Sequence, residues 1–261
     1  MTADRPTPTV QLPGGAMPLL GLGTWQSEGT DAERAVIAAL EFGYTHVDTA
    51  TGYGNEAEVG RALAAVGIDR DAVFVTTKLP PDHAGRERQT LMESLAHLGT
   101  DHLDLWLIHW PPHKQATPAT WEQFIAARDE GLVRSIGVSN YSVAQIDELI
   151  AATGEVPAVN QIPWSPTDWD AALVAEHEAR GVRIEGYSAF KRTDLDHPVL
   201  TEVAAAHDAS TRQVVLAWHL AHEVVVIPKS TSRERIEHNL AALDLTLTAD
   251  EVARIDGLGD A

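Results

Sequence analysis

The segment Thr45–Glu56 reads THVDTATGYGNE and marks the passage from a strand to a helix. Its first residues alternate between polar and apolar side chains, which predicts a strand that ends at Asp48. Two glycines flank Tyr53 and let the backbone turn sharply, so the phenol leaves the packed layer. Alternatively, Asp48 caps the next helix and Tyr53 only packs, because Asp is common in turns.

The order of strand and helix repeats along the chain. Strands are predicted at residues 20–23, 44–48, 73–78, 103–109, 133–140, 158–161, 182–188 and 224–230. Helices are predicted at 31–42, 55–66, 86–98, 118–128, 143–151, 171–180 and 211–221, with another near 249–255. Eight such units in about 250 residues predict an α/β protein of the (β/α)8 TIM barrel class.

Two further features refine this fold prediction. Residues 9–12 and 17–20 surround a Pro-Gly-Gly turn and predict an N-terminal β-hairpin that plugs one end of the barrel. A doubly wound open sheet would also alternate strands and helices, but its first strand should lead into a turn with three glycines. The segment Gly21–Gln26 lacks the third glycine. No linker interrupts the pattern, so residues 1–261 are expected to form one domain.

Composition restricts the possible partners. The chain has 261 residues, a formal charge of −19 and no cysteine. This charge disfavours a nucleic-acid partner, and the missing thiols exclude disulfides and a cysteine nucleophile. No apolar run approaches the roughly 18 residues of a membrane span, and Met1–Thr9 lacks the apolar block of a signal peptide. A cytoplasmic protein without membrane contacts is expected.

Polar side chains stand at the carboxyl ends of the predicted strands. They are Asp48, Lys78, His109, Ser139, Asn140, Gln161, Tyr187, Ser188, Lys229 and Ser230. In a parallel barrel these ends share one rim, where barrel enzymes form their active sites. The rim therefore predicts a catalytic site.

Four residues at or close to these strand ends suggest acid–base chemistry. Lys78 closes an apolar run and needs a buried partner, for which Asp48 is the natural choice. A phenol has a pKa near 10, and we expect the Lys78 ammonium to lower it, so that Tyr53 becomes a usable proton donor. His109 could hydrogen-bond a substrate oxygen. No residue here supplies an electron pair to carbon, which implies an external hydride carrier.

The order of motifs resembles the aldo-keto reductase family over nearly the whole chain, in particular short bacterial members such as the diketogulonate reductases. The motifs are GLGTW at 21–25, DTA at 48–50, YGNE at 53–56, TK at 77–78, IHWP at 108–111, IGVSN at 136–140, NQ at 160–161 and IPKS at 227–230. The resemblance implies reduction of a small-molecule carbonyl compound with NADPH by a monomeric enzyme without a metal.

The resemblance also implies roles for individual residues. The catalytic tetrad would be Asp48, Tyr53, Lys78 and His109. The cofactor residues would be Thr24, Trp25, Ser139, Asn140, Gln161, Tyr187, Ser188, Lys229, Ser230, Thr231, Arg235 and Asn239. Of these, Lys229, Ser230, Thr231 and Arg235 would hold the adenosine 2′-phosphate. Trp25 and Trp110 would line the substrate pocket, whereas Trp106 is expected to pack in the core.

A basic cluster supports the phosphate assignment from the residues alone. Lys229, Arg233 and Arg235 are close in sequence in a strongly acidic chain, at the start of a predicted helix whose amino end favours anions.

Three departures from the family pattern are expected to matter. His238 replaces a glutamate near the adenine, Ser188-Ala189-Phe190 replaces Ser-Pro-Leu, and the chain ends at Ala261 without a long tail, which predicts an open and unselective substrate cleft.

Two other functions fit parts of the sequence. His46 and Asp48 share one face of a strand and, with Lys78 and His109, resemble the rim of a metal-dependent hydrolase. That function would leave Tyr53 and the basic cluster without roles. A barrel that binds NADPH as a redox sensor or partner subunit, with little turnover, could retain the tetrad.

Overall fold

The computed structural model describes residues 7–260. Residues 1–6 and Ala261 lie outside this range. The expectations of no signal peptide and of an open cleft partly rest on these residues. Strand β1 (Thr9–Leu12) pairs antiparallel with β2 (Gly15–Pro18) and forms the predicted hairpin. Val10, Leu12 and Met17 of the hairpin pack against apolar side chains at the amino ends of barrel strands. The hairpin therefore closes the bottom of the barrel, as predicted.

Eight parallel strands follow in sequence order. They are β3 (Leu22–Gly23), β4 (His46–Asp48), β5 (Phe74–Leu79), β6 (Leu103–Ile108), β7 (Val133–Ser139), β8 (Val159–Pro163), β9 (Arg183–Tyr187) and β10 (Val225–Val226). Bridges from Leu20 to Val226 and from Gly23 to Lys229 connect the first and last strands. The (β/α)8 barrel prediction is confirmed.

Ten α-helices of the described chain surround these strands. They are α1 (Gly29–Phe42), α2 (Glu56–Val66), α3 (Glu87–Leu98), α4 (Pro118–Asp129), α5 (Val143–Thr153), α6 (Ala171–Ala179), α7 (Pro198–Ala206), α8 (Thr211–Ala221), α9 (Arg233–Leu240) and α10 (Ala249–Asp256). Within residues 7–260, none of the helices combines the length and apolar character needed to span a bilayer. Trp106 of β6 is fully buried and stacks on Phe124 of α4 at 3.7 Å between ring centroids, which confirms its predicted packing role.

Two predictions about secondary structure were wrong. The strand expected at 224–230 is limited to Val225–Val226, because Pro228 has no N–H to donate to a ladder. The helix Pro198–Ala206 was missed, although Pro198 at its first position and the buried Leu200 and Val203 fit a short helix that starts at a proline. The chain leaves the sheet after the bridge between Lys229 and Gly23, so residues 230–232 form a loop at the rim.

Candidate active site

A cleft of about 560 Å³ opens at the carboxyl ends of the strands. Its lining includes Asp48, Tyr53, His109, Asn140 and Lys229, which come from the ends of four different strands or the loops after them. The predicted rim is therefore one continuous site rather than a set of separate loop residues.

The Lys78 ammonium lies at the base of this cleft and is completely buried. It donates to both carboxylate oxygens of Asp48, at 2.6 and 2.7 Å, and to the carbonyl oxygen of Thr49 at 2.8 Å. It also donates, over a longer distance, to the Tyr53 hydroxyl at 3.4 Å. Burial alone would lower the pKa of Lys78, but Asp48 and Tyr53 outweigh burial and the net pKa is raised. Lys78 is therefore a fixed cation.

Asp48 does not cap helix α2, so the alternative reading of this residue is wrong. Asn55 occupies the cap position, where its side chain donates to the carbonyl oxygens of Thr24 and Ser27. Asp48 instead accepts from Lys78 and from the Gln161 side-chain amide at 2.9 Å. The carboxylate of Asp48 is thus held by groups from two other strands.

Tyr53 lies on a single 3₁₀ turn, Thr51–Tyr53, directly after β4. Its hydroxyl is 3.4 Å from the Lys78 ammonium, and its ring meets the His109 ring edge-on at 5.5 Å between centroids. Burial raises the pKa of Tyr53 more than Lys78 lowers it, so the net pKa is above the ordinary value. The expected net lowering was wrong. Tyr53 keeps its proton at neutral pH, and Lys78 stabilises the phenolate that remains once the proton has left.

His109 follows β6 and faces Tyr53 across the cleft. Its backbone carbonyl accepts from the side chain of Asn140 at 3.1 Å, which fixes the loop that carries the ring. Burial and the nearby Lys78 charge lower the pKa of His109 to about 3. The imidazole is neutral at physiological pH and can donate a hydrogen bond, but it is a poor proton source.

Four of the predicted nicotinamide contacts form one hydrogen-bonded group beside Asp48. Ser139 donates to the backbone carbonyl of Gln161 at 2.8 Å, and Asn140 donates to the Ser139 hydroxyl at 2.9 Å. The hydroxyl of Tyr187 donates to the Asn140 side chain at 2.7 Å. All four residues line the cleft, and the flat ring of Tyr187 forms part of its wall.

Three other predicted contact residues line the cleft, whereas Thr24 supports the strand beneath it. Trp25, Trp110 and Ser188 line the cleft, and the two tryptophans are 47% and 48% exposed. Thr24 is buried and donates to the backbone carbonyl of Asp48 at 3.0 Å, so it supports the end of β4. Lys191, which the sequence did not single out, places its ammonium 5.8 Å from the Trp25 ring centroid.

The predicted phosphate residues surround the start of α9. Lys229 lines the edge of the cleft, and the side chain of Arg235 reaches the Ser230 hydroxyl at 3.5 Å. Thr231 is exposed on the same loop, and Asn239 is buried one turn after Arg235. Arg233 does not belong to this cluster, which corrects the prediction.

The side chain of Arg233 points instead to helix α1. Its guanidinium pairs with Glu41 at 2.6 Å and lies over the Phe42 ring. His238, the predicted departure near the adenine, contacts the Ser210 hydroxyl at 3.1 Å. The basic cluster therefore reduces to Lys229 and Arg235.

The geometry does not support the metal-dependent hydrolase. Among residues 7–260, no group of three or more His, Asp or Glu side chains is arranged to hold a metal. His46 is buried below the rim, with Nε2 3.3 Å from the Thr76 hydroxyl. Lys78 is already held by Asp48, Thr49 and Tyr53.

The comparisons with known proteins identify the family of this chain. The sequence matches the family description "Aldo/keto reductase family" over residues 19–260. The chain belongs to the aldo-keto reductase family. An aldo-keto reductase from Mycolicibacterium vanbaalenii is 43% identical, with all of this chain and 95% of the relative aligned.

Solved structures of aldo-keto reductases also resemble it closely. The enzyme from Brucella melitensis superposes with a TM-score of 0.93 at 39% identity and covers 97% of this chain and 98% of its own. A Bombyx mori aldo-keto reductase in complex with NADP superposes with a TM-score of 0.87 at 35% identity, over 97% of this chain and 92% of its own.

The state of His109 in this aldo-keto reductase gives a pH prediction. With a folded pKa of about 3 and an ordinary value of 6.5, the unfolded chain binds more protons than the folded one between these values. The advantage in unfolding free energy of the wild type over a His109→Asn variant should therefore shrink as the pH falls through this window. Chemical denaturation at a series of pH values measures it.

The same variant assigns the His109 ring resonance by NMR. In the folded protein this resonance should not titrate between pH 5 and 8, whereas in urea it should titrate near the ordinary value. A midpoint near 6.5 in the folded protein would mean that the ring is not desolvated in solution.

Proposed function

We propose that this enzyme reduces an aldehyde or ketone to an alcohol with NADPH, and that Tyr53 gives the proton to the carbonyl oxygen. The observation that carries the proposal is the Tyr53 hydroxyl, which is protonated at neutral pH, opens on the cleft and lies 3.4 Å from a buried, permanently charged lysine. A neutral phenol beside a fixed cation is suited to protonate an oxygen as it becomes negative.

The residues at the rim fit the cofactor. Ser139, Asn140 and Gln161 offer amide and hydroxyl groups where a carboxamide would bind, and Tyr187 offers a flat ring. Lys229 and the Arg235 side chain lie at the start of α9 and suit a phosphate. When bound, the reduced nicotinamide supplies a hydride to the carbonyl carbon.

The protein's part in the reaction is proton transfer and orientation. His109, which is neutral, donates a hydrogen bond to the carbonyl oxygen and fixes its direction. The proton of Tyr53 moves to the same oxygen, whose C=O π electrons become the new O–H bond. The phenolate that remains is stabilised by Lys78 and later regains a proton from water. Asp48 keeps the ammonium charged and in place throughout.

The exposed tryptophans suggest which part of the substrate they contact. Trp25 and Trp110 line the cleft and are 47% and 48% exposed, and we propose that they cover the apolar part of the carbonyl compound. A redox sensor or partner subunit without turnover is not favoured, because such a role needs no protonated phenol aimed at the cleft.

We also propose that the chain is one domain and acts as a monomer in the cytoplasm without a nucleic-acid partner. The charge of −19 opposes binding to phosphate backbones, and the absence of cysteine suits a reducing compartment. Light scattering coupled to size-exclusion chromatography tests the oligomeric state, and a mass near twice 28.2 kDa would contradict it.

The Tyr53→Phe variant tests the proton donor. Removal of the hydroxyl keeps the ring against His109 but deletes the acid, so the rate of aldehyde reduction should fall about 10²- to 10⁴-fold. The dissociation constant for NADPH should barely change. Steady-state kinetics and cofactor fluorescence measure the two quantities.

Tyr141→Phe is a matched control for the loss of a phenol. The Tyr141 hydroxyl donates to the backbone carbonyl of Ala116 and takes no part in the tetrad. Its variant should reduce the same aldehyde at close to the wild-type rate. If Tyr53→Phe behaved like Tyr141→Phe, another group would have to supply the proton.

A double variant, Lys229→Met with Arg235→Met, tests the preference for NADPH over NADH. Each charge-assisted bond to a phosphate contributes about 1.5–3 kcal/mol, so the preference should fall on the order of 10²- to 10⁴-fold. Fluorescence titration with both cofactors gives the dissociation constants.

Arg233→Met provides the control on the same helix. Its guanidinium is paired with Glu41, so the preference should remain unchanged although the net charge changes by one unit. Equal dissociation constants for the two cofactors in the wild type would refute the assignment of Lys229 and Arg235.

A further inference from the structure

Glu185 is a fully buried carboxyl group that the reaction described above does not use. It lies in the middle of β9 and is 0% exposed. Within the described chain, neither carboxyl oxygen has a hydrogen-bond partner, and His46 Nε2 lies 3.9 Å from Oε1. A buried carboxylate without such partners is costly, so its presence needs a physical reason.

Three polar residues form a layer directly beneath the catalytic rim. His46, Thr76 and Glu185 each precede a rim residue by two positions, namely Asp48, Lys78 and Tyr187. Residues two apart on a strand face the same side, so this layer lies inside the barrel below the rim. The layer and the rim are linked by a residue of the neighbouring strand, β8.

Gln161 connects the two layers. It is the register partner of Glu185 on β8, and its side-chain amide donates to Asp48 at 2.9 Å. Glu185 therefore stands behind the ion pair of Asp48 and Lys78, separated from the cleft by the residues that perform the chemistry.

The ionisable groups around Glu185 are His46 and Asp48 on β4, Lys78 on β5 and Tyr53 on the turn after β4. Burial and the Asp48 charge raise the pKa of Glu185 to about 8, although the Lys78 charge opposes this shift. In turn, the Glu185 charge contributes to the raised pKa of Tyr53. A negative charge on Glu185 therefore disfavours the ionisation of Tyr53, and a negative charge on Tyr53 disfavours the ionisation of Glu185.

We propose that Glu185 is a positioning residue for the reaction proposed above: its buried carboxylate, behind the Asp48–Lys78 pair, opposes the negative charge that Tyr53 acquires when it releases its proton. As the pH rises, Glu185 ionises before Tyr53 does, and Tyr53 then holds its proton more firmly. The phenol stays available as an acid for carbonyl reduction at higher pH than it would beside Lys78 alone.

The test compares Glu185→Gln with two controls. Glu185→Gln removes the charge but keeps the shape, whereas Glu185→Asp keeps a carboxyl group. Glu178→Gln removes a negative charge from the exposed face of α6. If Glu185→Gln does not fold, Glu185→Met makes the same change of charge with an apolar side chain of similar length.

The first measurement is the phenolate absorbance of Tyr53, obtained as the difference between each variant and the same variant carrying Tyr53→Phe. The midpoint should fall by on the order of one pH unit in Glu185→Gln, the size expected for a buried like charge at an effective dielectric constant of about 20. It should stay near the wild-type value in Glu185→Asp and Glu178→Gln. An unchanged midpoint in Glu185→Gln would overturn the proposal.

The second measurement is the pH dependence of kcat for reduction of an aldehyde and oxidation of the matching alcohol. In Glu185→Gln the alkaline fall in reduction and the rise in oxidation should both move to lower pH by the shift seen in absorbance. A loss of rate at all pH values without that movement would show a structural role only and refute the proposal. If Tyr53→Phe remained active, the proposed function would fail, while the absorbance shift would still report the coupling of the two groups.

Discussion

The ion pair between Lys78 and Asp48 is the interaction on which the site depends. An ammonium buried completely is tolerated because it donates to two carboxylate oxygens, to one backbone carbonyl and, over a longer distance, to the Tyr53 hydroxyl. Loss of either partner would leave an uncompensated charge in the barrel interior. The pair also fixes distances, because Lys78 and Asp48 belong to adjacent strands and Tyr53 follows Asp48 by five residues. The position of Tyr53 is thus set by the barrel.

Burial shifts the pKa values of Tyr53 and His109 in opposite directions and leaves both side chains uncharged. It raises the pKa of Tyr53 and lowers that of His109, so both are neutral near pH 7. A protonated phenol and an uncharged imidazole can both donate to one carbonyl oxygen without repelling each other. Near pH 7 the ion pair at the base of the cleft is that of Lys78 with Asp48, and its ammonium can stabilise the charge that develops during the proposed reaction.

The sequence predicted the barrel, and it predicted that Asp48, Tyr53, Lys78 and His109 meet at one rim, because both follow from local patterns: period-two strands, glycine turns and polar residues at strand ends. It failed where a distant partner or burial decides the outcome. Arg233 looked like part of the phosphate cluster, but its partner Glu41 lies 192 positions away in sequence. The pKa of Tyr53 was misjudged because a strand pattern shows a neighbouring lysine and does not show how completely the phenol is desolvated.

Glu185 was missed for a related reason, since attention to strand ends ignores the layer beneath them. A sign was present: a lone acidic residue two positions before Tyr187, in the middle of a predicted strand. The barrel interior changes from the apolar plug, where hairpin residues meet Leu105 and Leu107, to the charged rim. Glu185 lies between the two, closed from solvent by the plug below and the Asp48–Lys78 pair above. This part of the barrel interior has a low dielectric constant, so a charge on Glu185 is little screened from Tyr53. One carboxyl group outside the cleft can therefore influence the Tyr53 proton.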